Sequence, residues 1–201
     1  MHPYATDSHE RKTVIYYLVL LSVIVAIGLN YLLNRYKVSL PFTIAAPSLA
    51  AFFGFFYATF NKYIWKISLL QKIGIVNVPN LSGSWSGYLQ SSFDELKEKR
   101  PITVTIKQSW TYISVKLTAN SSTSFSLAAS VLIDVPDGPN LIYFYQNEPQ
   151  PIAEGTMTIH KGTNIFKLAS QDHIEGEYYT GRGRMTFGLI YLDRNKINLN
   201  N

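Results

Sequence analysis

The chain has 201 residues, no cysteine and a formal net charge of +5. Without thiols it can form no disulfide, thiolate metal centre or cysteine nucleophile. The excess charge lies entirely before Gly74, where seven basic residues face two acidic ones, while eleven face eleven from there on; this is not the basic face of a domain that binds DNA or RNA polymers.

Residues 1–12 read as a short N-terminal tail. Residues 13–33 (TVIYYLVLLSVIVAIGLNYLL) and 38–61 (VSLPFTIAAPSLAAFFGFFYATFN) carry no charge, and each exceeds the ~18 apolar residues of a candidate spanning helix. Hydrogen-bond demand inside lipid makes helices the natural form. A cleaved signal peptide is the competing reading of the first run. That run is longer than a typical h-region of about 7–15 residues, and a second span follows at once. The spans are expected over about 13–33 and 40–60, within a hairpin of residues 13–61 joined by Asn34–Lys37.

Arg11, Lys12, Lys62, Lys66 and Lys72 flank the outer ends, against Arg35 and Lys37 in the linker. The positive-inside rule therefore expects a multi-pass inner-membrane protein with both termini cytoplasmic. Ala46, Ala50, Gly54 and Ala58 recur every four residues on the second span. Small residues on one face permit close helix approach, either within the hairpin or between subunits in the membrane. Ser22, Ala26 and Asn30 make a more polar stripe on the first span, and Pro47 is expected to weaken one helical hydrogen bond of the second. Residues 62–79 read as a juxtamembrane connector, with a short amphipathic helix that Val78-Pro79-Asn80 ends.

From Asn80 the period changes to two. Ile102, Val104 and Ile106 alternate with polar residues, as do Ile113, Val115 and Leu117, then Phe125, Leu127, Ala129, Val131 and Ile133. Further runs lie at 81–91, 141–147, 154–160, 165–169 with 174–180, and 184–193, with turns expected at 136–140, 147–151, 160–164 and 180–183. About eight short strands without an intervening helix predict an all-β domain over residues 80–201. Its expected form is an eight-stranded antiparallel, lipocalin-like up-and-down barrel able to hold one small ligand. The charged run Asp94–Arg100 reads as a solvated hairpin loop, with a lid as the functional alternative.

The stretch Gly83-Ser84-Trp85-Ser86-Gly87 superficially suggests a serine-hydrolase elbow, but Trp85 occupies the nucleophile position. No HExxH or paired metal spacing is present. Neither catalytic nor metal-binding residues are expected, and no cofactor. Gly83-x-Trp85 resembles the signature of lipocalin and avidin barrels, in which the Trp closes one end under a late basic residue; Arg194 is the candidate here.

Tyr178-Tyr179-Thr180-Gly181-Arg182-Gly183-Arg184 is the most charged tight turn. Arginine forks suit phosphate, and tyrosines offer faces for a base. A plain hairpin turn with surface arginines is the alternative. Arg182 and Arg184 are the candidate phosphate ligands, Tyr178 and Tyr145 the candidate stacking or wall residues, and Thr180 and Asn147 hydrogen-bonding groups. Trp110 reads as a turn-packing aromatic.

Two spanning helices followed by a neutral barrel, with NLSGSWSGYL at Asn80–Leu89 and GEYYTGRGR at Gly176–Arg184, resemble the membrane β-barrel effectors of bacterial CBASS anti-phage systems over essentially the whole chain. The resemblance implies a cyclic dinucleotide ligand made by a partner nucleotidyltransferase. It also implies homo-oligomerisation of the membrane helices and lethal disruption of the inner membrane. The reading from another class is a membrane-anchored lipocalin-like carrier of an apolar small molecule, which requires a dry cavity without arginine.

Overall fold

The computed structural model describes residues 1–37, 48–151, 157–182 and 184–195. The chain divides into two compact units, residues 8–77 and residues 1–7 with 78–201.

In the first unit, α1 spans Glu10–Arg35 and α2 spans Ser48–Lys62. The 26 residues of α1 reach about 39 Å, enough to cross a hydrocarbon core of about 30 Å. The two helices pack together. Val14, Leu18 and Ser22 are buried on α1 and Phe60 on α2; Ser22 donates its hydroxyl to the Leu18 carbonyl at 2.6 Å. Ala50, Gly54 and Ala58 are exposed on α2, whereas Phe52, Phe53, Phe56 and Tyr57 are half-buried. Ala46 and Pro47 lie outside the described residues.

The connector departs from the single helix expected. A 3-10 turn at Ile64–Lys66 and helix α3 at Ser68–Lys72 are separated by Ile67, which is extended. Trp65 is fully buried rather than displayed on an apolar face. The backbone N–H of Asn77 donates to the Glu10 carboxylate, so the start of α1 and the end of the connector meet.

The second unit is a closed barrel. Its strands are β1 (His2–Thr6), β2 (Gly83–Ser91), β3 (Arg100–Gln108), β4 (Tyr112–Ala119), β5 (Ser122–Leu132), β6 (Asn140–Pro149), β7 (His160–Leu168), β8 (His173–Thr180) and β9 (Phe187–Arg194). Strands β2 to β9 form the expected antiparallel meander, closed by β9 pairing with β2 from Trp85↔Arg194 to Ser91↔Gly188. The segment read as a tail supplies β1. It runs antiparallel to β4 and parallel to β5.

The strand pattern departs from the sequence expectation in three places. The runs 165–169 and 174–180, expected as one kinked strand, belong to two strands, β7 and β8, paired antiparallel. His160–Asn164, expected as a turn, begins β7 instead. Gly162 is needed there, because a Cβ would meet the Tyr145 hydroxyl at 2.4 Å and the Tyr179 carbonyl at 2.3 Å. The alternation expected at Phe125, Leu127 and Ala129 also breaks. A register shift between Ser126 and Ala128 switches the inward set, so Ser122 and Ser124 are buried while Phe125 and Leu127 are exposed. A β-bulge adds one residue and reverses the facing of those beyond it.

Odd-numbered residues of β2 point inward from Trp85, which is fully buried. Its indole donates to the Leu81 carbonyl at 3.1 Å, and the Arg194 guanidinium lies 4.3 Å from the ring centroid. Arg194 also donates to the carbonyls of Ser82 (2.9 Å), Asn80 (3.0 Å) and Gln171 (3.1 Å). One end of the barrel is thereby closed by a stack fixed on two backbone segments, Asn80–Ser82 and Gln171. Trp110 is fully buried near the same end, and its carbonyl accepts from the Tyr4 hydroxyl at 2.7 Å.

Gly87 marks the closest approach of β2 to β9. A Cβ there would lie 1.8 Å from the backbone oxygen of Tyr191, and a paired strand cannot yield as a side chain would. Gly87→Ala is expected to destabilise the chain by about 3 kcal/mol, the upper part of the usual overpacking range. Denaturant unfolding measures this. An unchanged midpoint would show that the β2–β9 pair yields readily.

Candidate functional site

The inner wall changes character along the barrel. Toward the closed end it is built from Leu81, Trp85, Ile106, Ile113, Val131, Leu141, Phe166, Ile174 and Leu192, all buried. Toward the other end the buried residues include Ser91, Ser122, Ser124, Asn147 and Asn164. Burying such groups is unfavourable unless they are paired or await a partner.

A cavity of about 230 Å³ occupies this polar end. Its wall comes from all eight strands β2 to β9, and its rim from the β2–β3 loop, the β4–β5 turn and the β8–β9 turn. Tyr145, Asn147, Tyr178, Thr180 and Arg184 line it. Alternation brings them together, since Tyr143, Tyr145 and Asn147 share the inner face of β6, and Tyr178 and Thr180 share one face of β8. Arg182 does not line the cavity and is exposed. Gly183 lies outside the described residues.

The polar groups differ in how far they are committed. Ser124 donates to Asn147 Oδ1 at 2.9 Å. The Thr180 hydroxyl is engaged with Thr186: it donates to that carbonyl at 2.9 Å and accepts from that N–H at 2.7 Å. It therefore braces the hairpin that carries Arg184. Asn164 Oδ1 and the Tyr143 hydroxyl are buried close together but short of hydrogen-bond geometry, so neither is satisfied among the described residues. Among those residues the Arg184 guanidinium has no ion-pair partner.

The electrostatics follow from burial and from Arg184. Burial raises the phenol pKa of Tyr145, with Tyr178 adding to the rise and Arg184 opposing it. Burial likewise raises that of Tyr178, opposed by Ser91, Arg184 and Arg100. Burial holds the His160 imidazole below its ordinary value, the Thr158 carbonyl opposes this, and Arg184 depresses it further. Both phenols are neutral at physiological pH, and so is His160. The site is a cationic, hydrogen-bonding cup with aromatic walls, suited to an anion that carries flat polar rings.

Sequence reasoning missed Ser91, Ser122, Ser124, His160 and Asn164 as lining residues, and reached Lys99 and Arg100 only through the lid alternative for Asp94–Arg100. Arg100 is tied to Asp94 at 2.8 Å and Glu98 at 3.3 Å, and Lys99 lies 4.5 Å from the Tyr88 ring centroid. The charged loop therefore shapes the mouth. The available signal was the run of polar residues at inward positions of β5 and β7. Among the described residues no cluster of potential metal ligands is present.

Comparison with known proteins agrees with both units. Residues 76–194 match the family model described as Cap15, cyclic dinucleotide receptor domain, and residues 12–66 match that described as Cap15, TM helices. CD-NTase-associated protein 15 of Yersinia aleksiciae is 30% identical over 184 residues, covering 89% of this chain and 86% of that protein. The protein of the same name from Staphylococcus schleiferi is 24% identical over 123 residues, covering 61% of this chain and 64% of that one. The chain belongs to the Cap15 family of CBASS-associated proteins, in which a membrane-associated helical region is joined to a receptor domain for cyclic dinucleotides.

Proposed function

We propose that the protein is a non-enzymatic, ligand-gated effector of anti-phage defence. Cyclic dinucleotide enters the polar end of the barrel, the membrane helices of several copies associate, and the inner membrane fails. The observation that carries this reading is the gradient of the inner wall from apolar to polar and cationic, ending at Arg184 with no ion-pair partner among the described residues. A carrier of apolar molecules needs the opposite lining. The relatives' name, CD-NTase-associated, supports a functional partnership with a cyclic-nucleotide synthase.

The contact between Asn77 and Glu10 supports a hairpin that crosses twice. A start and an end that touch lie on one side of a bilayer. The lysines and arginines at those ends then support a cytoplasmic side for both termini and the barrel. The ligand acts by linkage. It shifts assembly only by its differential affinity for the assembled state, and confinement to a bilayer raises the effective concentration of copies. Ala50, Gly54 and Ala58 face away from α1 and offer the surface for that association.

The test uses the full chain in detergent, titrated with cyclic di-AMP, cyclic di-GMP, cyclic GMP–AMP, cyclic di-UMP and palmitate, and follows the melting temperature. At least one dinucleotide is expected to stabilise it and to release dye from vesicles bearing it. Stabilisation by palmitate alone would overturn the reading.

His160 makes the affinity depend on pH. Its pKa is depressed in the free chain, and a phosphodiester placed beside it raises that pKa again. Binding then takes up a proton, so affinity is expected to rise as pH falls from about 7.5 to about 5.5. The free chain shifts the opposite way: a histidine held neutral by the fold loses stability as pH falls through its unfolded value. Calorimetric titration of wild type and His160→Gln across this range checks the first effect, and the variant is expected to be flat. An equal slope in both would remove His160 from the site.

A further inference from the structure

Strands β4 and β5 have the shortest direct pairing in the β2–β9 meander. They pair only through Lys116↔Phe125, Leu117↔Ser124 and Thr118↔Thr123, at the mouth end. Beyond these rungs they separate, and β1 fills the gap. It pairs with β4 through His2↔Ile113 and Pro3↔Tyr112, and with β5 through Tyr4↔Ala129, Ala5↔Ser130 and Thr6↔Val131. Side chains secure it. His2 Nε2 lies 2.8 Å from Ser126 Oγ, which also accepts from the Val115 N–H at 2.9 Å. The Tyr4 hydroxyl reaches the Trp110 carbonyl, and the Asp7 carboxylate accepts the N–H groups of Ile133 (2.8 Å) and Asp134 (3.0 Å).

This strand has only five residues, and Pro3 cannot donate to the ladder. Only Ser8 and His9 separate its Asp7 anchor from α1. If it leaves, the facing edges of β4 and β5 are unpaired, which a folded protein tolerates poorly. An equivalent strand of matching register is the β1 of another copy. Exchange of an identical element restores every contact in trans, at the cost of association alone. The site adjoins this junction, because Leu117, Ser122 and Ser124 line the cavity, and the Leu117↔Ser124 rung is among the three that hold β4 to β5 directly.

We propose that β1 is an exchangeable strand, and that on assembly the β1 of one copy fills the β4–β5 junction of a second copy. The inference rests on the reading of the chain as a self-associating receptor. It adds a specific interface in the barrel to the contact between membrane helices.

The absence of native cysteine makes the test clean. Ala5 is exposed and pairs with Ser130, which is half-buried, so both accept cysteine without repacking. Full-length Ala5→Cys and Ser130→Cys chains, one carrying a size tag, are reconstituted together in phosphatidylethanolamine–phosphatidylglycerol vesicles. They are then oxidised with and without the four cyclic dinucleotides. A disulfide-linked heterodimer is expected only with a dinucleotide that stabilises the chain. The double variant, oxidised beforehand, is expected to keep its ligand-induced rise in melting temperature and to lose dye release, which reductant restores. Copies that are stabilised and assembled without an interchain disulfide, or a locked double variant that still leaks, would overturn exchange alone. A wild-type chain that is neither stabilised nor assembled by any of the four would overturn the receptor reading and exchange together.

Discussion

Arg184→Glu is expected to abolish the response to cyclic dinucleotide while leaving the barrel folded. The residue lines the cavity and perturbs three of its other members, His160, Tyr145 and Tyr178. Among the described residues no carboxylate neutralises it, so its charge is available to an incoming phosphate. Hydrogen bonds to a charged group contribute about 1.5–3 kcal/mol each. Reversal replaces that attraction with repulsion of two anions, so affinity is expected to fall by about a thousandfold, or about 4 kcal/mol. Arg184→Lys keeps the charge but loses the planar fork, and about a tenfold loss is expected. Arg182→Glu is the internal control. Arg182 is exposed and outside the cavity wall, so its reversal is expected to change affinity by less than about threefold. Calorimetric titration of the three variants separates the effects. If Arg184→Glu binds like wild type, the cavity is not the anion site.

The contrast between Arg182 and Arg184 also shows what was legible in advance. Both belong to a turn whose composition points to phosphate, and composition cannot decide which one faces inward. Periodicity does better inside strands. Tyr145 and Asn147 were readable as pocket candidates because alternation of period two places them on one strand face, whereas Tyr178 and Thr180 were candidates through the chemistry of the turn they precede. Phe125 and Leu127 were misread as an inward pair, since the bulge at Ser126–Ala128 reverses the facing of β5 and turns Ser122 and Ser124 inward instead. Gly162 looked like a turn residue because the tyrosine that crowds it stands on the neighbouring strand. Strand β1 was invisible for a related reason. Its partners lie more than a hundred residues away, and five residues with a proline carry no local strand signal. Local chemistry wrote the meander and the Trp85 closure into the sequence, whereas the junction that β1 fills depends on long-range pairing.

Gly54→Leu is expected to leave dinucleotide binding intact and to remove toxicity. A Cβ at Gly54 meets nothing within 4 Å, so the larger side chain fits the single copy. Replacing glycine inside a helix also favours the helical state, by up to about 1 kcal/mol. Any loss of function therefore reports a contact that one copy does not contain. Ala50, Gly54 and Ala58 present a smooth exposed stripe at four-residue spacing, and close helix approach depends on such smoothness. A leucine in its middle holds a second helix away. Gly28→Leu on α1 provides the comparison. That position is equally open, but Ile24 and Leu32, one turn on either side, already make the face bulky. Gly28→Leu is expected to remain toxic. Colony survival on co-expression with a cyclic-nucleotide synthase, read beside the ligand-induced rise in melting temperature, distinguishes the variants. Killing by Gly54→Leu at the wild-type level would assign the stripe to lipid and leave assembly to the barrel.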